Sequence, residues 1–357
     1  MKKIFVLFFF ALSLTSYGQS DKEKAHDLGM KAIQEMESGN IKEAISLLKK
    51  AKKLDPKNVD YPYEIAYAHY LDQDYKKAIK VLNGLLDYET VTDRVYQMLG
   101  NCYDIEGDPD LAIETYEKGI KLFPNSGPLY LERGNMHLHK EEYNKALNYY
   151  ETGIEKDPRF PSNYYWSAKI YMASTEKLWG VIYGEIFMNL ERSSKRTSEI
   201  SELLYQTYKN QITITSDTST SISFCQQMTM TLEDLTNPDG FKLPFCMVYE
   251  PTLILSVIDV KKINPTTLTG IRSKFIDNYY SSEHNKKYPN MLFDYQKKIL
   301  EAGHFEAYNH WIMMKGDPED YDAWLDNNQD KMDRFVDWFM ENPIPVSKTN
   351  HFFRNQY

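Results

Sequence analysis

Cysteine is scarce: Cys102, Cys225 and Cys246 are all that 357 residues contain. Three thiols cannot build the multi-bridge framework that staples small secreted domains, so the fold must come from an apolar core. Basic charge is short as well. Lys and Arg total 42 against 51 Asp and Glu, a net −9. That balance argues against a general nucleic-acid binder, because phosphate contacts need clustered positive charge. Neither usual glycine-rich phosphate loop occurs, nor a Gly-x-Ser-x-Gly elbow. His304 and His310 are six residues apart, which does not place them as the i, i+4 zinc pair of a helix. Acidic pairs such as Glu141-Glu142 and Glu319-Asp320 read as solvated helix ends. No catalytic residue, cofactor site or metal ligand set is therefore expected.

Long apolar runs are missing too, except at the start. Lys2 and Lys3 precede Ile4 to Leu14, and Ser16 and Gly18 supply small residues before Gln19. A basic start, a short apolar core and small residues at −3 and −1 match a secretory signal peptide over 1–18, cleaved near Gly18. A membrane anchor would need about 20 apolar residues, roughly twice this run. No cysteine follows, so lipid anchoring is not expected. The mature chain, without Lys2 and Lys3, is expected to be acidic, free of integral membrane segments, and periplasmic or secreted.

What is present is a period. Ala44, Ala78, Ala112 and Ala146 are spaced by 34 residues, as are Leu48, Leu82, Tyr116 and Tyr150. Ala32, Ala66, Gly100 and Gly134 share the same spacing, and Pro56, Pro124 and Pro158 share a slot that Thr90 fills once. Each block reads as two amphipathic helices. They are broken at Gly39-Asn40, Gln73-Asp74, Gly107-Asp108 and Glu141-Glu142 and closed by proline, which cannot continue a helix. Small residues sit where the two helices must approach. One such hairpin cannot bury its apolar face alone; stacked hairpins can.

These blocks resemble the tetratricopeptide repeat family. Tyr96 to Pro124 carries the pattern most fully, and Tyr130 to Pro158 nearly so. Leu28 and Thr90 depart from it, and a fifth block from Pro161 keeps Tyr164, Ala168 and Tyr171 but has Gly180 for alanine. The resemblance spans 22–192: four clear repeats and one degenerate one. It implies a mainly α fold, an α-solenoid of antiparallel helix pairs, of an exported bacterial type.

The second half, 193–357, is expected to be a mostly helical domain of unknown role. Thr197 or Ser198 is placed as the cap of a helix carrying Ile200, Leu204 and Tyr208. Ile212 to Ser223, rich in Thr and Ser, suits a loop or an edge strand. Asn237-Pro238-Asp239-Gly240 signals a turn. The short apolar run Leu253 to Val260 fits either helix or strand. Further helices are expected from about Thr267, over Asn290–Leu300, over Phe305–Met314 and over Pro318–Met340, with Trp311, Trp324, Phe335, Trp338 and Phe339 forming an aromatic core. Cys225 and Cys246 both follow phenylalanine in the irregular stretch and are candidates for a disulfide; Cys102 reads as a packing residue.

In the family, defined positions of each first helix line a concave face. Carried onto this chain, the resemblance implies a peptide groove of Tyr63, Tyr67, Tyr70, Arg94, Gln97, Asn101, Asn135, His139, Tyr165 and Lys169, with Asp60, Leu71, Asp104, Ile105, Leu131, Leu138 and Met172 at its remaining positions. Asn101 and Asn135 share a repeat position, and an amide can both donate to and accept from a peptide backbone. The expected function is a non-catalytic scaffold that binds a protein or peptide outside the cytoplasm. The alternative is an enzyme with a site in the second half or at the domain junction.

Overall fold

The structure is a computed structural model that describes residues 20–216, 219–226 and 243–357. The expected signal peptide and the Asn237–Gly240 turn lie outside the described residues. The chain divides into two compact units, Met1–Ala112 and Ile113–Tyr357.

Helices dominate both. The first unit holds α1 (Asp21–Glu37), α2 (Ile41–Leu54), α3 (Asp60–Leu71), α4 (Tyr75–Asn83) and α5 (Asp93–Ile105), and α6 (Pro109–Leu122) begins in it. The second continues with α7 (Gly127–Leu138), α8 (Tyr143–Lys156), α9 (Pro161–Ala173), α10 (Lys177–Leu190) and α11 (Lys195–Gln211). A hairpin follows, β1 (Ile212–Ser216) and β2 (Ser219–Ile222), antiparallel with Ile212 opposite Ile222 and a register shift between Ile214 and Ser216. Then come α12 (Cys246–Ser256), α13 (Pro265–Ser281), α14 (His284–Lys287), α15 (Met291–Glu301), α16 (Phe305–Met313) and α17 (Pro318–Glu341). No helix among the described residues is long and apolar enough to cross a membrane.

The sequence period has a physical cause at three points. First, Ala44, Ala78, Ala112 and Ala146 are all wholly buried, as are Ala32 and Ala66. A methyl is all these helix crossings accept. At Gly134 even that is excluded, since a Cβ would lie 2.3 Å from the Tyr150 ring. Second, each hairpin turns at the same register position with a left-handed residue: Gly39 (φ 79°), Gln73 (58°), Gly107 (87°) and Glu141 (59°). Third, capping starts the helices. Ser20 Oγ accepts from Glu23 N while Glu23 Oε2 accepts from Ser20 N, and Asp74 Oδ1 accepts from Lys77 N at 3.2 Å. Pro128 and Pro161 open α7 and α9, where their missing N–H costs nothing.

The period runs further than the repeat pattern. The first helices α5, α7, α9 and α11 start at 93, 127, 161 and 195, so α11 opens one full period after α9. Ser194 caps it, accepting from Thr197 N at 3.1 Å, one turn earlier than the expected Thr197 or Ser198.

The cores differ between the units. In the first, one cluster joins α1, α2 and α3 and another joins α3, α4 and α5. In the second, a single core runs from Leu147 in α8 to Phe352 near the C-terminus. The boundary expected near residue 192 falls inside this core, because α10 is buried along almost its whole length. The expected aromatic cluster is present: Trp311 and Phe335 lie 5.0 and 4.9 Å from Phe339. The ambiguous run from Leu253 resolves as the end of α12 and a turn. The Thr/Ser-rich stretch is the hairpin.

Candidate functional site

The predicted groove residues fall in both units, so each set stands by itself. In the first unit, Tyr63 is almost fully buried, with the Arg94 guanidinium 4.2 Å above its ring. Arg94 Nη2 also reaches Glu64 Oε1 at 3.4 Å. Burial raises the Tyr63 phenol and the Glu64 carboxyl above their usual ranges, and Arg94 pulls both back. Tyr67 is exposed and stacks on Tyr70 at 6.5 Å, and Tyr70 meets Tyr75 edge-on at 5.4 Å. Gln97 and Asn101 are half-buried on α5.

In the second unit, Asn135 already serves the fold. Its Oδ1 accepts from the buried Tyr150 hydroxyl at 2.8 Å and its Nδ2 donates to Glu132 at 3.0 Å. His139 caps the end of α7 and is exposed. Tyr165 is buried, donating its hydroxyl to Glu199 of α11. Lys169 bridges the same carboxylate at 2.7 Å and lies 5.1 Å from both the Tyr165 and Trp166 rings. Burial raises the Tyr165 phenol, and the Glu199 hydrogen bond adds to it. Thus α11 takes up Tyr165 and Lys169 much as Arg94 of α5 takes up Tyr63 of α3.

The open space lies beside them. A cleft of about 800 Å³ is bounded by the end of α7, the turn into α8, and α9. Leu138, Leu147, Trp166 and Ile170 form its apolar wall, Tyr143 and Ala173 its edge, and Glu141, Glu142, Lys145 and Lys169 its charged rim. The rim charges are mostly paired. Glu142 accepts from Lys145 at 2.8 Å and contacts His137 at 2.6 Å, which hold its carboxyl down at about 2. A second hollow of about 370 Å³ continues onto α11 and shares Lys169 and Ala173 with the first. It is lined by Met172, Leu203 and the amides Gln206, Asn210 and Gln211. There Lys177 Nζ donates to the carbonyls of Met172 and Ser174 at 2.7 and 2.8 Å, and burial lowers its affinity for a proton.

Of the predicted groove residues, Lys169 lines both hollows, and Leu138 and Met172 line one each. Trp166, Ile170 and Tyr143 were not foreseen. The signal for two of them was present: Trp166, Ile170 and Ala173 fall at i, i+4 and i+7 of α9, an apolar stripe one residue away from the chosen positions. Elsewhere, Cys225 and Cys246 are joined in a disulfide, and Cys102 is a buried thiol pushed up to about 12 by desolvation. His310 is buried and stacks on Trp324 at 4.1 Å, with Nδ1 against the Glu306 carbonyl at 2.9 Å, so it packs as part of the core.

Parts of the chain are similar to known proteins. Two family models described as tetratricopeptide repeat match residues 35–102 and 93–126. The Hsp70-Hsp90 organizing protein of Triticum aestivum is 28% identical over 155 residues, 42% of this chain and 27% of that protein. BBSome complex member BBS4 of Bos taurus is 28% identical over 120 residues, 34% of this chain and 23% of the relative. The chain thus spans about a quarter of the length of these two relatives. Among solved structures, a MamA protein is 22% identical, with a TM-score of 0.36 over 47% of this chain and 92% of its own. The pilF protein of Pseudomonas aeruginosa is 17% identical, with a TM-score of 0.44 over 53% and 85%. The helix pairs in register, the buried alanines at their crossings and the two matching family models identify tetratricopeptide repeats over residues 35–126 of this chain.

Proposed function

We propose that this protein is a non-catalytic scaffold that works outside the cytoplasm and holds an extended segment of a partner protein across α7, α9 and α11. The observation that carries this reading is the apolar cleft walled by Trp166, Ile170, Leu138 and Leu147. It takes one large apolar side chain, the kind of anchor that dominates binding energy. The adjoining hollow offers the amides of Gln206, Asn210 and Gln211 to a peptide backbone beyond the anchor. The groove is therefore shifted toward the C-terminus of the array, away from the Asn101 and Asn135 positions. Relatives named as organizing proteins and complex members fit an interaction role. The alternative, an enzyme in the second half, would draw on its buried polar groups, but His310 and Glu185 are engaged in packing and ion pairing there.

The test is a displayed-peptide selection against the mature chain. Selected peptides are expected to carry an aromatic or long aliphatic residue and to lose roughly tenfold or more in affinity with Trp166→Ala. Equal affinity for wild type and variant overturns the cleft assignment. Export is tested separately, by sequencing the N-terminus of protein from its native host: Gln19 is expected first, and an intact Met1 removes the claim.

A further inference from the structure

The disulfide sits in a setting that a structural bridge does not require. Three elements meet at it: the residue before α10 (Glu176), the strand-like segment after β2 (Cys225) and the first residue of α12 (Cys246). One carboxylate oxygen of Glu176 and the two sulfurs all lie within 4.8 Å of one another. Both cysteines are almost fully buried, at 4% exposure each.

Hydrogen bonds hold the backbone here in addition to the S–S bond. Glu250 Oε1 of α12 accepts from Phe224 N at 2.6 Å and Cys225 N at 3.0 Å. Glu176 pairs with Cys225 as an isolated bridge, and its Oε1 accepts from Gln226 N at 3.2 Å. Leu178 N donates to Phe224 O at 3.3 Å. Opening the disulfide would leave two thiols with a Glu176 carboxylate oxygen within 4.8 Å of both sulfur positions. Cys246 is the first residue of an 11-residue helix, where the amide dipoles favour a thiolate.

We propose that Glu176, Cys225 and Cys246 form a zinc site in the reduced protein, and that the disulfide is its oxidised alternative. Two thiolates and one carboxylate are ligand types that zinc takes, and three protein ligands leave a fourth position for water. A dithiol or phosphine reductant opens the site. The disulfide takes up two electrons and two protons and becomes two thiols, while the dithiol is oxidised to its own disulfide, or the phosphine with one water to its oxide. Zinc then binds both sulfurs and releases two protons. Where thiols stay oxidised the bridge closes the site; where they are reduced the metal can enter.

The full chain tests this after reduction with a phosphine and removal of the reductant without air. Zinc is titrated against a chromophoric chelator with proton release followed in parallel, and cobalt is used as a spectroscopic probe. The expected result is one metal per chain, close to two protons released per zinc, and a thiolate-to-cobalt charge-transfer band. The oxidised protein should show none of these. Cys225→Ser should lose the charge-transfer band of a two-thiolate site, and Glu176→Gln should weaken zinc roughly tenfold or more while Cys102→Ala leaves it unchanged. The proposal fails if reduced wild type binds no stoichiometric zinc, if Glu176→Gln binds as wild type does, or if Cys102→Ala abolishes binding. If Cys225→Ser does not fold, the wild-type stoichiometry and the Glu176→Gln affinity still decide the matter.

Discussion

The two units bury their residues by different rules. In the first, apolar clusters join only neighbouring hairpins, α1 to α3 and α3 to α5, and most charges stay on the surface. Arg94, for example, is paired with Glu64 but more than half of its side chain is exposed. In the second, one core spans most of the unit and takes ion pairs inside it. Arg272 Nη2 meets Glu185 Oε1 at 2.5 Å with side-chain exposures of 4% and 1%, and Gln296 and Tyr308 donate to the same oxygen at 2.6 and 2.8 Å. Arg354 likewise grips the buried Glu151 of α8 through two 3.1 Å contacts, tying the C-terminus to the fourth repeat. A repeat needs only its neighbour; the second unit needs all its parts at once.

The largest effect should come from breaking the buried pair. Arg272→Met leaves Glu185 buried without its cation and should cost about 3–5 kcal/mol in urea unfolding, whereas the double change with Glu185→Leu should recover most of it. Arg94→Met in the first unit should cost no more than about 1 kcal/mol, since exposed pairs contribute little. Similar losses for Arg272→Met and Arg94→Met would erase the distinction between the units.

Helix crossings come next. Ala78→Leu and Ala146→Leu each insert bulk where no surface is exposed and should cost about 1–3 kcal/mol. If the units unfold separately, calorimetry should show Ala78→Leu lowering one transition and Arg272→Met lowering the other. A single transition shifted by both would show that they unfold as one.

What the sequence revealed follows the same division. A fixed period forces the same residue type into the same crossing, so Ala44, Ala78, Ala112 and Ala146 disclosed the helix pairs directly. In the second half there is no repetition to average over, yet α13, α15, α16 and α17 were legible to within a residue or two, with Asn290 and Pro318 marking two of the starts, while the one-turn α14 was not. The fate of α10 and α11 was hidden. Gly180 breaks the alanine rule, but a Cβ there would lie 2.6 Å from the Met172 backbone, so glycine meets the close-approach requirement more strictly than alanine does. The cleft lies one helical position away from the family positions on α9, along that helix's own apolar stripe of Trp166, Ile170 and Ala173.

A smaller effect tests the predicted groove. Asn135→Ala strands the Tyr150 hydroxyl in the interior and should cost about 1–3 kcal/mol. Adding Tyr150→Phe, which removes the stranded group, should return part of that loss. If Asn135→Ala leaves the melting temperature unchanged, the amide is not tethered to Tyr150 and returns to candidacy as a ligand contact.

The smallest effect concerns the hairpin turns, where the repeats use two solutions to one backbone problem. Positions 39, 73, 107 and 141 all adopt φ between 58° and 87°, twice with glycine and twice with a side chain. A non-glycine residue there suffers contact between its Cβ and the following carbonyl, at a cost of roughly 1–2 kcal/mol. Glycine avoids that contact but has more freedom to lose on folding, by roughly 0.5–1 kcal/mol. The difference predicts a gain of about 0.5 kcal/mol for Gln73→Gly or Glu141→Gly, and a loss of similar size for Gly39→Ala or Gly107→Ala. Nothing lies within 4 Å of a Cβ built at Gly39 or Gly107, so steric packing does not confound the second pair. Urea midpoints of the four single variants read the result. Destabilisation by Gln73→Gly and Glu141→Gly would mean that their side chains contribute contacts outweighing the backbone strain, and the four turns would no longer be equivalent.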